Sequence, residues 1–209
     1  MTKDPQWVGK LIVIGLIGFV PIVGQMNLLG WTFASLDNLR AGRLELGAGN
    51  FSHIGRGARL FLVLLVYGLM VGVVAAVFYG PGIAITVANQ NAGGGIAALG
   101  GLLTGLGGLF VFIASLALAW IQPVIYLRTD RGGIGAGLDL PAVIAELRAQ
   151  PMKALLAALL MYVGSLIGSV GLLVCLIGAI FTVPFGYAIV AGVLRVYEQQ
   201  VSQAAYQPS

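Results

Sequence analysis

The chain has 209 residues, of which 59% are hydrophobic and only 9% charged, with a mean hydropathy of +0.99. Soluble domains carry about a quarter charged residues, so composition argues against a water-soluble fold and for an all-α membrane protein of a single domain. The net charge of +4 does not point to nucleic acid, because the basic residues are spread along the chain and interleaved with acids.

The charges fall into four clusters that order the chain: Lys3, Asp4 and Lys10; Asp37 to Arg59; Arg128 to Lys153; Arg195 and Glu198. Lys3 and Lys10 precede an apolar core in the manner of a signal peptide, but the core continues past Pro21 and no small-x-small site follows, which predicts a retained segment. Residues 8–36 are long for one crossing and short for two. Pro21, Gly24, Gln25 and Asn27 cluster at the middle, and Trp7 and Trp31 bracket it as interfacial aromatics would. These features favour a re-entrant hairpin or paired short helices, with Gln25 and Asn27 facing the bundle. The alternative is one Pro-kinked span, which would place Lys3 and Lys10 outside, against the positive-inside rule.

Residues 37–59 read as a cytoplasmic loop, within which Phe51 to Leu62 alternates apolar side chains with His53, Arg56 and Arg59 and leads into the next span. No charge occurs from residue 60 to 127, enough length for spans at 60–81 and 97–127. Gly80-Pro81-Gly82 reads as the end of the first, and the uncharged Asn89 to Gly95 as an external turn. A second cytoplasmic loop, 128–153, carries a predicted interfacial helix from Leu140 to Gln150, with Val143, Ile144 and Leu147 on one face. Residues 154–194 are again uncharged and give spans at 154–172 and 173–195, with the turn expected at Gly168-Ser169-Val170-Gly171. The result is a polytopic bundle of about six membrane segments, some short, re-entrant or Pro-kinked, with interfacial amphipathic helices. Arg-rich loops predict that both termini lie in the cytoplasm and the protein in the cytoplasmic membrane.

The 32 glycines exceed what turns require. Pairs at four-residue spacing, Gly68 and Gly72, Gly101 and Gly105, Gly164 and Gly168, predict close packing between helices of the same chain. The stripe Gly100, Thr104 and Gly108 is the candidate for a homodimer or membrane-protein partner. Arg40, Arg43, Arg56, Arg59, Arg128, Arg131, Arg148 and Lys153 are candidates for anionic lipid headgroups.

Residues with catalytic potential are sparse. Cys175 is single and lies in an apolar run, and His53 is the one histidine, so neither a multi-thiolate metal site nor a base for Ser115, Ser165 or Ser169 is in view. Arg131 to Gly137 is glycine-rich but lacks the Gly-Lys-Ser/Thr ending of a phosphate loop and reads as a flexible loop. The sequence therefore predicts no enzyme, no cofactor and no metal, and an interaction, scaffold or accessory subunit in the membrane. The alternative is a permease for a small uncharged solute or lipid, built on helix breaks at Pro21, Pro81, Pro123 and Pro184. It requires Gln25, Asn27, Thr104 and Gln122 to converge on one cavity.

Two stretches resemble a known family. Ile14-Gly15-Leu16-Ile17-Gly18-Phe19-Val20-Pro21-Ile22-Val23-Gly24 is followed by Leu29-Gly30-Trp31 and an arginine-bearing loop. Leu138-Asp139-Leu140-Pro141-Ala142-Val143-Ile144 leads to Arg148, Gln150 and Pro151 and then to an apolar hairpin through Phe181-Thr182-Val183-Pro184-Phe185 and Tyr187. Both are similar to the prokaryotic membrane family known as domain of unknown function 4013. That resemblance implies a multi-span helical membrane protein and supplies no activity, cofactor or catalytic residue.

Overall fold

The computed structural model describes residues 4–88, 94–173 and 176–205. These form seven helices and, among the described residues, no strand: α1 Trp7–Gly18, α2 Val23–Arg40, α3 Ile54–Ala88, α4 Gly94–Leu138, α5 Leu140–Ala149, α6 Pro151–Leu173 and α7 Leu176–Ala205. α3, α4, α6 and α7 are long and apolar enough to cross a membrane, and α1 is a shorter apolar helix. In the most apolar stretch of α4 only 6% of the residues are buried within the chain. So apolar a surface needs a non-aqueous neighbour, which is the physical content of a membrane protein.

The chain divides into two compact units, one built from residues up to Val63 and from Trp120 onward, the other from Leu64–Ala119. In the first unit, α1 and α2 pack on each other and both pack on α7, while α6 and α7 form the most extensive helix pair. Leu11, Ile14 and Ile17 of α1 close a core with Leu28 and Trp31 of α2, Leu46 and Ala188. The α1–α2 connection is a tight turn at Pro21. Val23 N–H donates to Pro21 O at 2.7 Å, and Ile22 between them has φ 64° and ψ −61°, the rare and strained positive-φ form of the γ-turn. Gly24 follows because a Cβ there would run into the end of α1 at Ile17 and Gly18.

α2 ends in a Schellman motif. Arg43 N–H bonds Asn38 O at 2.8 Å, Gly42 N–H bonds Leu39 O at 3.1 Å, and Gly42 takes the left-handed φ of 75° that this cap requires. The following segment is irregular but not loose. Asp4 accepts from Leu46 N–H, Trp31 Nε1 donates to Gly47 O at 2.9 Å, and Ser35 Oγ accepts from Gly47 N–H at 3.0 Å. Side chains of α2 and of the segment before α1 thus satisfy a backbone that has no ladder of its own.

α2 then crosses the start of α3 with backbone against backbone. A Cβ on Gly30 would collide with His53 O, and one on Gly57 with Met26 O and Gly30 N. Gly15 does the same for α1 against Ile180 of α7, and Gly186 for α7 against Gly164 O of α6.

In the second unit, α3 and α4 meet through a reciprocal step. Thr86 bonds back to Gly82 O and Thr104 to Gly100 O, each at 2.9 Å, and a Cβ on either glycine would meet the threonine of the opposite helix. Phe78 stacks on Phe110 with ring centroids 6.3 Å apart.

Several sequence expectations change. Pro81, Pro123 and Pro184 lie inside helices that run on past them, so of the expected helix breaks only that at Pro21 is found. Proline removes one amide and crowds the preceding turn, which a long helix held by neighbours tolerates. The turn expected at Gly168–Gly171 is helical, because α6 continues to Leu173, and Gly171 serves close contact with Gly178 of α7. The segment read as a flexible loop at 131–137 belongs to α4, interrupted only at Gly133, whose φ 73° and ψ −161° suit glycine alone. Gln25 is exposed, whereas Asn27 is fully buried. The expected external turn lies, apart from Gly94 and Gly95, outside the described residues, as do Lys3 and Cys175.

Because the α2–α3 crossing has no room for a methyl group, Gly30→Ala and Gly57→Ala should each destabilise the detergent-solubilised protein by about 3 kcal/mol or more, read as a loss of thermal midpoint. Gly55→Ala, beside the crossing with open space at its Cβ position, should leave the midpoint within a degree or two or raise it slightly.

Candidate functional site

Two polar constellations stand out in the first unit. The first is a lattice of arginines and carboxylates drawn from four helices. Arg40 of α2 grips Glu198 of α7 in a two-point fork, Nε to Oε2 and Nη2 to Oε1, both 2.9 Å. Its remaining nitrogen reaches Asp130 of α4 at 2.7 Å and Asp37 at 3.0 Å. Arg56, in the first turn of α3, bonds Asp130 Oδ1 through Nε at 2.8 Å and pairs with Asp37 as well. Arg131 and Arg195 complete the coordination of Glu198 at 3.0 and 3.5 Å. The side chain of Asp130 is only 2% exposed, so its charge is held by two guanidinium groups and by almost nothing else.

Each local choice supports that arrangement. The fork of arginine matches a carboxylate bidentately, which a lysine ammonium cannot do. The Arg56 guanidinium lies 5.2 Å from the centre of the Phe33 ring, and Phe33 meets Tyr126 edge to face, so an aromatic pair backs the cation. Burial alone would raise the pKa of Asp37; the hydrogen bonds and charges of Arg56 and Arg40 outweigh it and hold the carboxyl below the usual range. Asp4 behaves likewise: burial opposes ionisation, but Lys10 and the amides of Gln6 and Leu46 keep it ionised.

Protein partners, in the lattice and beside it, engage most of the basic side chains expected to meet lipid. Arg40, Arg56 and Arg131 are taken by protein carboxylates, and Arg128 by Ala136 O, Glu146 and Asp139 at 3.0, 3.4 and 3.6 Å. Arg43 bonds Asn38 Oδ1 at 2.7 Å, and Lys153 bonds Gln200 O at 2.9 Å. Arg148 is exposed, and it and Arg59 form no ion pair among the described residues. Sequence reading missed the lattice because its charges come from three separate clusters, and only the fold brings them together.

The second constellation is a cavity of about 250 Å³ between α4, α6 and α7, lined by Gln122, Tyr126, Ser165, Ser169 and Tyr187 among apolar neighbours. Of the four polar residues expected to converge, Gln122 alone lines it. Asn27 is used structurally, donating to Asn50 O at 2.9 Å and accepting from His53 N–H at 3.3 Å, and Thr104 bonds its own helix. Pro21, Pro123 and Pro184 do not line it either.

The glycine pairs also trade roles. Gly68, Gly72, Gly101 and Gly105, expected to pack within the chain, have open space where a Cβ would be. Gly100 and Thr104, expected to face a partner, are covered by α3, and a Cβ on Gly108 would come within 3.3 Å of the Tyr79 hydroxyl. Gly164 and Gly168 lie against α7.

A family model described as a protein of unknown function, DUF4013, matches residues 13–177. No curated protein and no solved structure matches the chain.

Arg40 is one of two guanidinium groups that hold the buried Asp130 carboxylate, so Arg40→Ala leaves that charge short of a partner and should cost about 3 kcal/mol of stability. The depressed pKa of Asp37 sets a pH dependence. Its contribution is complete above the unfolded carboxyl value of about 3.9 and is lost as pH falls through the lower folded value. The thermal midpoint should therefore drop below about pH 4, and Asp37→Asn should flatten that drop while lowering the plateau at neutral pH.

Proposed function

The chain belongs to the DUF4013 family, and from its site we infer that it is a non-catalytic integral membrane protein that works as an assembly or accessory subunit. The observation that carries this reading is the set of open glycines on α3 and α4. Gly82, Gly100 and Gly107 are used up by the α3–α4 contact, while Gly68, Gly72, Gly101 and Gly105 have open space at their Cβ positions among the described residues. Lipid offers no hydrophobic drive for helix association, so small residues gain their value from close approach of another helix. Their surroundings are strongly apolar, with Leu65, Leu69, Val73, Leu102, Leu109 and Phe112 all exposed. A second transmembrane helix fits such a face, from a partner or from another copy of this chain.

The state of the reactive side chains supports the same reading. The lattice acids are bound by arginines, the His53 ring bonds Ala48 O at 2.8 Å, and the Ser165 and Ser169 hydroxyls bond carbonyls of their own helix. The arrangement offers a structural clamp in place of a nucleophile with its base. With its arginines and both termini on the cytoplasmic side, the protein belongs in a prokaryotic cytoplasmic membrane, and its unpaired Arg59 and Arg148 suit anionic headgroups there.

Native mass spectrometry from nanodiscs tests the proposal. The wild type is expected to carry a stoichiometric second chain, its own or another. Gly68→Leu with Gly105→Leu should release it without moving the thermal midpoint by more than about 0.5 kcal/mol equivalent. A wild type that is monomeric with lipid alone, or a variant that assembles as well as the wild type, overturns the reading.

A further inference from the structure

The cavity between α4, α6 and α7 is unused by the assembly role, and its hydrogen-bonding capacity can be counted. Gln122 Nε2 donates to the Tyr126 hydroxyl at 3.4 Å, and its second N–H and its carbonyl oxygen have no side-chain bond among the described residues. Tyr126, 4% exposed, keeps its own proton to donate. The Tyr187 hydroxyl has no hydrogen-bond partner among the described residues. Ser165 and Ser169 spend their protons on Met161 O at 3.1 Å and Ser165 O at 2.9 Å, so toward the cavity they can only accept. The lining thus offers three donors, from Gln122, Tyr126 and Tyr187, and acceptors from Gln122, Ser165 and Ser169. Met161, Val183 and Val190 form the apolar remainder, and no charged side chain takes part.

That inventory selects a chemical class. An ion would enter without a counter-charge and lose its hydration, which is costly in an apolar surround. A hydrocarbon would leave the amide and phenols unsatisfied. A hydroxylated neutral molecule both donates and accepts, and its C–H faces suit tyrosine rings and valines. For size, a cavity of 150 Å³ holds benzene, so 250 Å³ accommodates about ten non-hydrogen atoms. We propose that this cavity is a binding site for a neutral polyol group, held by Gln122, Tyr126 and Tyr187. That chemistry is shared by a free sugar alcohol and by the glyceryl headgroup of a neutral lipid.

Saturation-transfer NMR on the full chain in nanodiscs tests this with two probes, free sorbitol and 1-monocaproylglycerol. Transfer to at least one probe is expected, weakened about tenfold or more in apparent affinity by Gln122→Leu and by Tyr187→Phe, and unchanged by Gln25→Leu, whose amide is exposed away from the cavity. Tyr187→Phe keeps the ring and removes only the hydroxyl, so its loss of binding would not be one of folding. Transfer to sorbitol identifies the free polyol as the source; transfer to the glyceride alone identifies the lipid headgroup. No transfer to either probe, or equal transfer in wild type and both cavity variants, overturns the proposal.

Discussion

α2 lies against the first turn of α3 at a distance that only hydrogen can occupy, with Gly30 under His53 O and Gly57 under Met26 O. The Arg56 corner of the charged lattice is aligned by that contact. Arg56 immediately precedes Gly57, and Asp37 and Arg40 lie about two to three turns beyond Gly30 on α2. Seating the two glycines therefore sets where the Arg56 guanidinium meets Asp37, and Asp130 of α4 bridges Arg56 to Arg40. A side chain at either glycine would separate the backbones, and an ion pair loses its Coulomb energy with distance while its desolvation cost remains.

The lattice in turn explains how a chain with so few charges can bury some of them. An isolated buried pair often fails to recover its desolvation, whereas here Asp130 is shared by two arginines and Glu198 accepts a two-point fork. Phe33 lends its face to Arg56, so the part of the guanidinium that meets no oxygen still meets a favourable quadrupole. The helices joined in this way are α2, α3, α4 and α7, and Arg40 reaches Glu198 across 158 positions of sequence. The lattice ties the ends of the chain to its middle without a disulfide or a metal.

Much of the fold was legible because the membrane imposes a coarse grammar. Long uncharged stretches between residues 60 and 127 and between 154 and 194 read directly as apolar helices, and the helix expected from Leu140 is α5, whose Asp139 cap, accepting from Ala142 N–H at 3.2 Å, the structure adds. Less legible were features whose meaning depends on a neighbour. A proline such as Pro123 or Pro184 breaks an isolated helix but not one packed in a bundle, so its sign cannot be read locally. Glycine spacing gives a face and not its occupant: the Gly100 stripe and the Gly101 stripe are adjacent on α4, and only the position of α3 decides which is covered. Arginines read as lipid ligands for the same reason, since their carboxylate partners lie in other clusters. Of the cavity lining only Gln122 was legible, because a tyrosine or serine in an apolar helix usually satisfies itself or points to an interface.

The lattice and the cavity share two helices, and that fixes how they relate. On α4, Tyr126 of the cavity stands about one turn before Asp130 of the lattice; on α7, Tyr187 stands about three turns before Glu198. Arg40 bonds Asp130 and Glu198 at once, and so holds α4 and α7 at one separation at that end. The space between the same two helices further along is the cavity, whose width is therefore set by a charge-assisted clamp outside it. This separation of labour follows from electrostatics: an unpaired charge in an apolar surround costs far more than an unpaired neutral dipole, so the lattice pairs its charges while the cavity wall carries neutral dipoles alone. A space whose walls offer only neutral dipoles and whose width is fixed by ionic bonds is preorganised, so a ligand entering it need not pay to order the helices that receive it.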